Sequence, residues 1–190
     1  MNVFYLDEDP VTCARMHVDK HVVKMIVEYA QLLSTAHRVL DGTEYIGKTK
    51  TGRKAKRWRH PNLEFDKNLM LASHVKHPSG IWCRETKGNY SWLLHLLVNL
   101  LKEYTHRYGK RHSVEDRLPY LNFIPKHISQ DMRTTEMPQC MPEYCKVPGN
   151  PIAAYKNYYI KEKVRFATWK KRSIPQWYEE RVTGTILVST

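Results

Sequence analysis

The stretch HVDKHVVKMIVEYAQLLSTAHR, His17 to Arg38, puts ionisable groups on a helix that is otherwise apolar. Wound at about 100° per residue, Val22, Val23, Met25, Ile26, Val27, Tyr29, Ala30, Leu32, Leu33 and Ala36 cover about two thirds of its circumference. His17, His21, Lys24, Glu28, Gln31 and Thr35 gather in the remaining wedge, roughly 80° wide. So narrow a polar stripe suits the wall of an enclosed site better than a solvent face. A carboxylate one turn from an amine on a poorly solvated face perturbs the ionisation of both. Glu28 is then a candidate general base or charge stabiliser. Lys24 is a candidate nucleophile toward a carbonyl-like carbon, and His21 stands beside them.

A second apolar helix, YSWLLHLLVNLLKEYTHRYGKRH, repeats the pattern. His95, Asn99, Lys102 and His106 fall within about 60° of one another on its wheel. If both helices bury their apolar faces, the two polar stripes must meet or line one cavity. The expectation is that His21 or Glu28 lies within hydrogen-bond or single-water reach of His95, Asn99 or His106. HPSGIWCRETKGNYSW adds His77, Arg84 and Asn89 on a connection feeding that helix, where site residues often sit. Arg107 follows from EYTHRYGKRH, and His17 and Gln31 complete the expected substrate-contacting set.

A metal reading is weaker. Cys13, His17 and His21 are spaced i, i+4, i+8, with Glu28 or His37 nearby, and zinc accepts such ligands. No HExxH or CxxC pair is present, and Cys140 and Cys145 have a non-standard spacing, so no metal site and no cofactor is expected. GKT at Gly47 lacks the preceding glycine and strand of a phosphate-binding loop. There is no G-x-S-x-G elbow.

Charge points to the partner. Lys and Arg total 31 against 19 acids, a formal net charge of +12. Such a field favours polyanions, nucleic acid first. Rings interleave with the charges in KRWRH, AYKNYYIKEK and FATWKKR, as suits stacking on bases while cations hold phosphates. The densest run holds Lys48, Lys50, Arg53, Lys54, Lys56, Arg57 and Arg59 with no acid among them. It reads as a mobile basic loop over 48–60 that grips phosphates on binding. Lys163, Lys170, Lys171 and Arg172 form a second phosphate-holding strip.

Positioning these residues takes one mainly helical domain over 1–190, a bundle around a buried central helix, with room for a small terminal β-pair. A chain of this length buries roughly 70% of its unfolded surface. Asn2 to Leu6 suits a strand, which TGTILVST in the 183–190 tail could pair with or leave as a disordered end. Asp9 with Pro10 starts a helix that runs to about Leu40, bending near Asp19. Gly109 ends the second long helix. Residues 113–150 carry five of the ten prolines and read as a wrapping loop. Asn150 with Pro151 starts a helix expected to reach Lys171. Four scattered cysteines imply no disulfide framework and a reducing cytoplasm. No run of about 18 apolar residues long enough to span a membrane is present, and the start MNVFYLDEDP, without a basic region followed by an apolar run, does not read as a signal peptide.

DKHVVKMIVEYAQLL resembles the central helix of phage pyrimidine-dimer DNA glycosylases of the endonuclease V type. There an Asp-x-His is followed, seven residues after the histidine, by the catalytic glutamate. Asp19, His21 and Glu28 match that spacing, and IPQWY, with Trp177 and Tyr178, looks like that family's ending. The resemblance covers about 30 residues near the start and a few at the end. It implies a small, basic, all-helical enzyme whose N-terminal amine attacks the sugar C1′ while the glutamate assists. The base is released and the strand can be nicked. Family members carry a small second residue that allows methionine removal, whereas Asn2 leaves Met1 in place. Lys24 is then the replacement nucleophile, unless the reaction is hydrolytic. DKHVVKMI, HPSGIW, EYTHRYGK and YKNYYIKEK also resemble segments of uncharacterised tailed-phage proteins, which would place the chain in a host cytoplasm.

The leading expectation is a DNA-acting enzyme, an N-glycosylase/lyase or a related pyrimidine modifier. Two others stand beside it: a non-catalytic nucleic-acid-binding protein, and an enzyme acting on free nucleotides.

Overall fold

A computed structural model describes the backbone of residues 1–188 and the side chains of residues 1–182. The protein is mainly α-helical with one small antiparallel β-pair. Asp9 caps α1 (Pro10–Met16), its carboxylate accepting from the Val11 and Thr12 N–H groups. The expected bend near Asp19 is a full break at His17 and Val18, after which α2 runs Asp19–Asp41. Residues 43–59, read from their charge as a loop, form a hairpin of β1 (Thr43–Lys48) and β2 (Lys54–Arg59). Thr43 pairs with Arg59 and Lys48 with Lys54. Charged side chains on both faces hid the period-two alternation that would have marked the strands.

Next come α3 (Leu63–Asn68), α4 (Pro78–Cys83) and α5 (Lys87–Tyr108), the last ending at Gly109 in the left-handed conformation. Residues 113–150 contain a 3₁₀ turn at Ser113–Arg117, α6 (Leu118–Leu121) and another 3₁₀ turn at Glu143–Cys145. The segment is strapped to the start of α5 by a parallel bridge between Thr86 and Ser129. Gly88 belongs at that strap, because a Cβ there would collide with the Met132 and Arg133 carbonyls. Asn150 caps α7 (Pro151–Glu162) through the Ala153 N–H. This helix stops nine residues before the expected Lys171, and a 3₁₀ turn at Val164–Phe166 follows.

The last element is α8 (Gln176–Val188), so 183–188 are helical rather than strand or disordered end; residues 189–190 lie outside the described residues. Asn2 to Leu6 pairs with no strand among the described residues. It threads the core instead, with Val3, Phe4 and Leu6 buried. Among the described residues no helix is long and apolar enough to cross a membrane.

The core is centred on α2 packed against α5, with α1 and α4 beside them. Two arginines act as clamps, Arg107 in place of the substrate contact expected of it. Arg38 donates to the carbonyls of Trp58, Asp66, Leu69 and Met70 and to the Asp66 carboxylate, fastening the end of the hairpin to α2. Arg107 is fully buried and donates to the Arg15 and His17 carbonyls, to Glu103 at 3.1 Å and to Asp19 at 3.0 Å. It closes the α1–α2 break from the side of α5. A buried guanidinium is tolerable only when its donors are satisfied in this way.

Candidate active site

The polar stripe of α2 does not keep one character along its length. At its N-terminal end the histidines are core residues. His17 Nδ1 donates to the Cys13 carbonyl at 2.7 Å, and its Nε2 accepts from the Tyr29 hydroxyl at 3.0 Å. Tyr29 in turn accepts the Phe4 N–H. His21 stacks on Phe4 with ring centroids 4.1 Å apart, and its Nδ1 pairs with the Tyr159 hydroxyl at 2.7 Å. Burial pushes the His17 pKa down to about 4 and that of His21 to about 2. Both rings are therefore neutral packing elements. Cys13 Sγ donates to the Phe4 carbonyl, so the expected Cys13–His17–His21 row has its ligand atoms engaged elsewhere.

Farther along, the stripe emerges at the surface. Lys24 is exposed and Glu28 is partly covered, with Lys24 Nζ 3.3 Å from Glu28 Oε1. Val23 and Val27, assigned to the buried face, are exposed instead. Gln31 Nε2 donates to the Leu71 carbonyl, and Thr35 bonds across to Ser73, so the connection over 70–77 covers the rest of the stripe.

The group that completes the site is Met1. Its α-amine lies 3.9 Å from Glu28 Oε2, on the side opposite the Lys24 contact. What holds the terminus there is residue 2, since Asn2 Nδ2 donates to the Cys140 carbonyl at 2.6 Å. Periodicity could not reveal this, because a chain end belongs to no repeat. The only signal in the sequence was the family resemblance, whose chemistry uses an N-terminal amine. At 3.9 Å the amine is paired with the carboxylate without a direct hydrogen bond.

His77 belongs to the same neighbourhood. Its Nδ1 accepts from the Ser79 N–H at the start of α4. Burial and then the charge of the Met1 amine hold its pKa below the ordinary histidine value, against the opposing pull of Glu28. Asn2 and His77 share a cleft of about 460 Å³ with Pro78, Gln139, Cys140 and Lys146. The wrapping segment 113–150 thus forms one wall. Met1 and Lys24 both pair with the one carboxylate of Glu28, while Lys146 in the cleft wall pairs with Glu143 at 2.7 Å.

The other expected lining residues lie elsewhere. Arg84 donates to the Val75 and Gly80 carbonyls. Asn89 is buried, bonding Trp82 and Thr135 and pinning the strap. His95 lies exposed on α5, and Asn99 Nδ2 donates to its carbonyl. His106 is also exposed and meets the Lys171 carbonyl. The α5 stripe therefore faces outward, and the expected meeting of two stripes does not occur. Leucines dense enough to fill the α5 core left the polar positions for the surface.

The basic residues fall in two settings. On the hairpin, Lys48, Lys54 and Lys56 share one face, while Arg57 and Arg59 share the other with Tyr45. Lys50 and Arg53 occupy the turn. Among the described residues only Lys56 of these seven has an acidic partner, Glu44 at 2.7 Å. The C-terminal set is more committed. Arg172 grips Glu103 through two nitrogens, Lys163 stacks on Tyr158 and Lys170 on Tyr108, and Lys171 donates to the His106 carbonyl. No protein-family model, curated protein or solved structure matches this chain.

Proposed function

We propose that the protein is a DNA N-glycosylase with an associated lyase step, and that its nucleophile is the Met1 α-amine rather than Lys24. The observation that carries this reading is the 3.9 Å approach of that amine to Glu28. In model peptides an α-amine is a far weaker base than a lysine side chain, about 8 against about 10.4. At neutral pH a much larger share of α-amines therefore carries a free lone pair. Lys24 is solvent-exposed, with its ammonium 3.3 Å from Glu28 Oε1.

The amine adds to C1′ of the target nucleotide as the C1′–N bond breaks, and the base leaves with the bonding pair and takes a proton. Opening of the sugar ring at C1′–O4′ gives a Schiff base. Glu28 balances the developing positive charge and then accepts the C2′ proton, so that the 3′ phosphate is expelled and the strand is nicked. The cleft of about 460 Å³ that Asn2 and His77 line adjoins the Met1 terminus through Asn2, and this chemistry requires the target base out of its stack. The hairpin supports the same reading, since a two-stranded ribbon fits the major groove and its unpaired cations suit phosphates.

The test is release of damaged or modified pyrimidines from oligonucleotides by Glu28→Gln. Glu28 sits in a partly exposed ion pair, which contributes little to stability, so the variant should melt within a few degrees of the parent. Base release should fall by about two orders of magnitude or more, the scale of a positioned acid–base group. If the parent protein binds DNA but releases no base from DNA or free nucleotides, the non-catalytic binding reading replaces this one.

A further inference from the structure

At the far end of α2, two histidines point unsatisfied nitrogens toward one carboxylate, Asp41, which also accepts from the Lys126 N–H and from the His127 N–H and ring Nδ1. His37 and Asp41 lie one turn apart, and His60 follows β2 directly. Their ligand atoms all fall within 4.8 Å of one another, and among the described residues no other such group occurs. His37 Nδ1 and His60 Nε2 each lie 4.0 Å from Asp41 Oδ2. Both nitrogens are buried without a hydrogen-bond partner, in side chains more than nine-tenths buried.

The hydrogen bonds around the cluster fix the protons. The Tyr90 hydroxyl donates to the Leu121 carbonyl at 2.8 Å, so toward His37 it can only accept, and His37 Nε2 carries the hydrogen at 2.9 Å. The His37 Nδ1 atom is therefore a bare lone pair. It faces a carboxylate held in place by the Lys126 and His127 N–H groups. Two electron-rich atoms opposed in a buried space call for a cation or a donor between them.

We propose that His37, Asp41 and His60 bind one divalent transition-metal ion, zinc foremost. Two imidazoles and one carboxylate are a borderline-soft donor set suited to zinc, with a fourth position left for water. Tyr90 plays the supporting role usual for a metal-bound histidine, fixing the ring through its other nitrogen. Tetrahedral zinc at about 2.0–2.1 Å from each donor places the donors about 3.3 Å apart, so each histidine–Asp41 separation of 4.0 Å closes by about 0.7 Å on binding. The local cost falls at His60, whose Nδ1 accepts the Asn62 N–H at 3.1 Å. Binding through Nε2 moves the proton to Nδ1 and turns that N–H toward solvent, where Asn62 is already exposed.

The site is separate from Met1 and Glu28, since His37 and Asp41 lie nine and thirteen residues beyond Glu28, about 13–20 Å along the helix. Its role is to fasten the base of the basic hairpin to α2 and to the segment at Lys126. The untagged full chain, stripped with a chelator, is titrated with cobalt and, by competition dialysis, with zinc. One equivalent should bind, with the visible bands of tetrahedral cobalt and without the near-ultraviolet absorption of thiolate ligation. His37→Gln and His60→Gln should each weaken binding by about 100-fold or more. Absence of the bands, a thiolate signature or affinity unchanged in both variants overturns the site. In that case a water filling the gap, accepting from His60 and donating to His37 and Asp41, is what the cluster holds. Should either variant fail to fold, the cobalt spectrum of the unaltered chain decides alone.

Discussion

Neutral histidines in the core make the fold acid-sensitive in a defined window. Burial lowers the folded pKa of His17 to about 4 and of His21 to about 2, while an unfolded histidine titrates near 6.5. The folded state thus refuses protons that the unfolded chain accepts. The stabilising contribution is complete above pH 6.5 and is lost as the pH falls toward the folded values. Each such group costs about 1.36 kcal/mol per pH unit below 6.5, hence ~2 kcal/mol at pH 5 and ~4 kcal/mol for the pair. That is a large share of a total stability of about 5–15 kcal/mol. Carboxylate pairs lose stability only nearer pH 4, so the window between pH 6.5 and 5 reports the histidines. The perturbation is His17→Gln with His21→Gln, since glutamine keeps a donor and an acceptor for Tyr29, Cys13 and Tyr159 but takes up no proton. Urea unfolding between pH 7.5 and 5 should show the double variant weaker at pH 7.5, with a pH slope reduced by close to two protons. A double variant retaining the parent slope refutes the assignment of both rings as neutral core groups.

Arg107→Met should destabilise by about 3–5 kcal/mol by urea midpoint, because it takes the donors from the Arg15 and His17 carbonyls and one buried partner from each of Glu103 and Asp19. Neutralising Lys48, Lys50, Arg53, Lys54, Lys56, Arg57 and Arg59 together should weaken DNA binding across all sequences and flatten its salt dependence; an unchanged salt slope removes the hairpin from the interface. Asn2→Ala cuts the tie to Cys140 and permits methionine removal, retracting the amine by one residue, about 3.8 Å along the chain. Base release should then fall at least tenfold, with intact-mass measurement confirming the missing methionine.

Helix ends were legible because caps are local chemistry: Asp9 with Pro10, Asn150 with Pro151 and Gly109 all act as their types suggest. The α1–α2 break was visible as a bend, but its cause, Arg107 reaching across from α5, is a long-range contact. The hairpin stayed hidden because its alternation is carried by charge rather than by apolar side chains. α7 stops at Glu162 although the residues that follow are competent helix formers, since tertiary contacts of the following turn override weak propensity. At the candidate site, the helical spacing of Lys24 and Glu28 was enough to bring them together. His21 looked identical on the wheel, yet it is a packing residue, because only the surrounding aromatics Phe4, Tyr159 and Phe166 decide its environment. His60 is far from His37 in sequence and meets it only once the hairpin folds back.

The central claim is that the Met1 amine is the nucleophile beside Glu28. It is tested most directly by borohydride trapping on an oligonucleotide carrying a damaged or modified pyrimidine, followed by peptide mapping of the adduct. The sugar should be found on the α-nitrogen of Met1, and the adduct should be lost when the terminus is acetylated while Lys24→Gln still forms it. An adduct on Lys24, or one that survives acetylation of the terminus, contradicts the account.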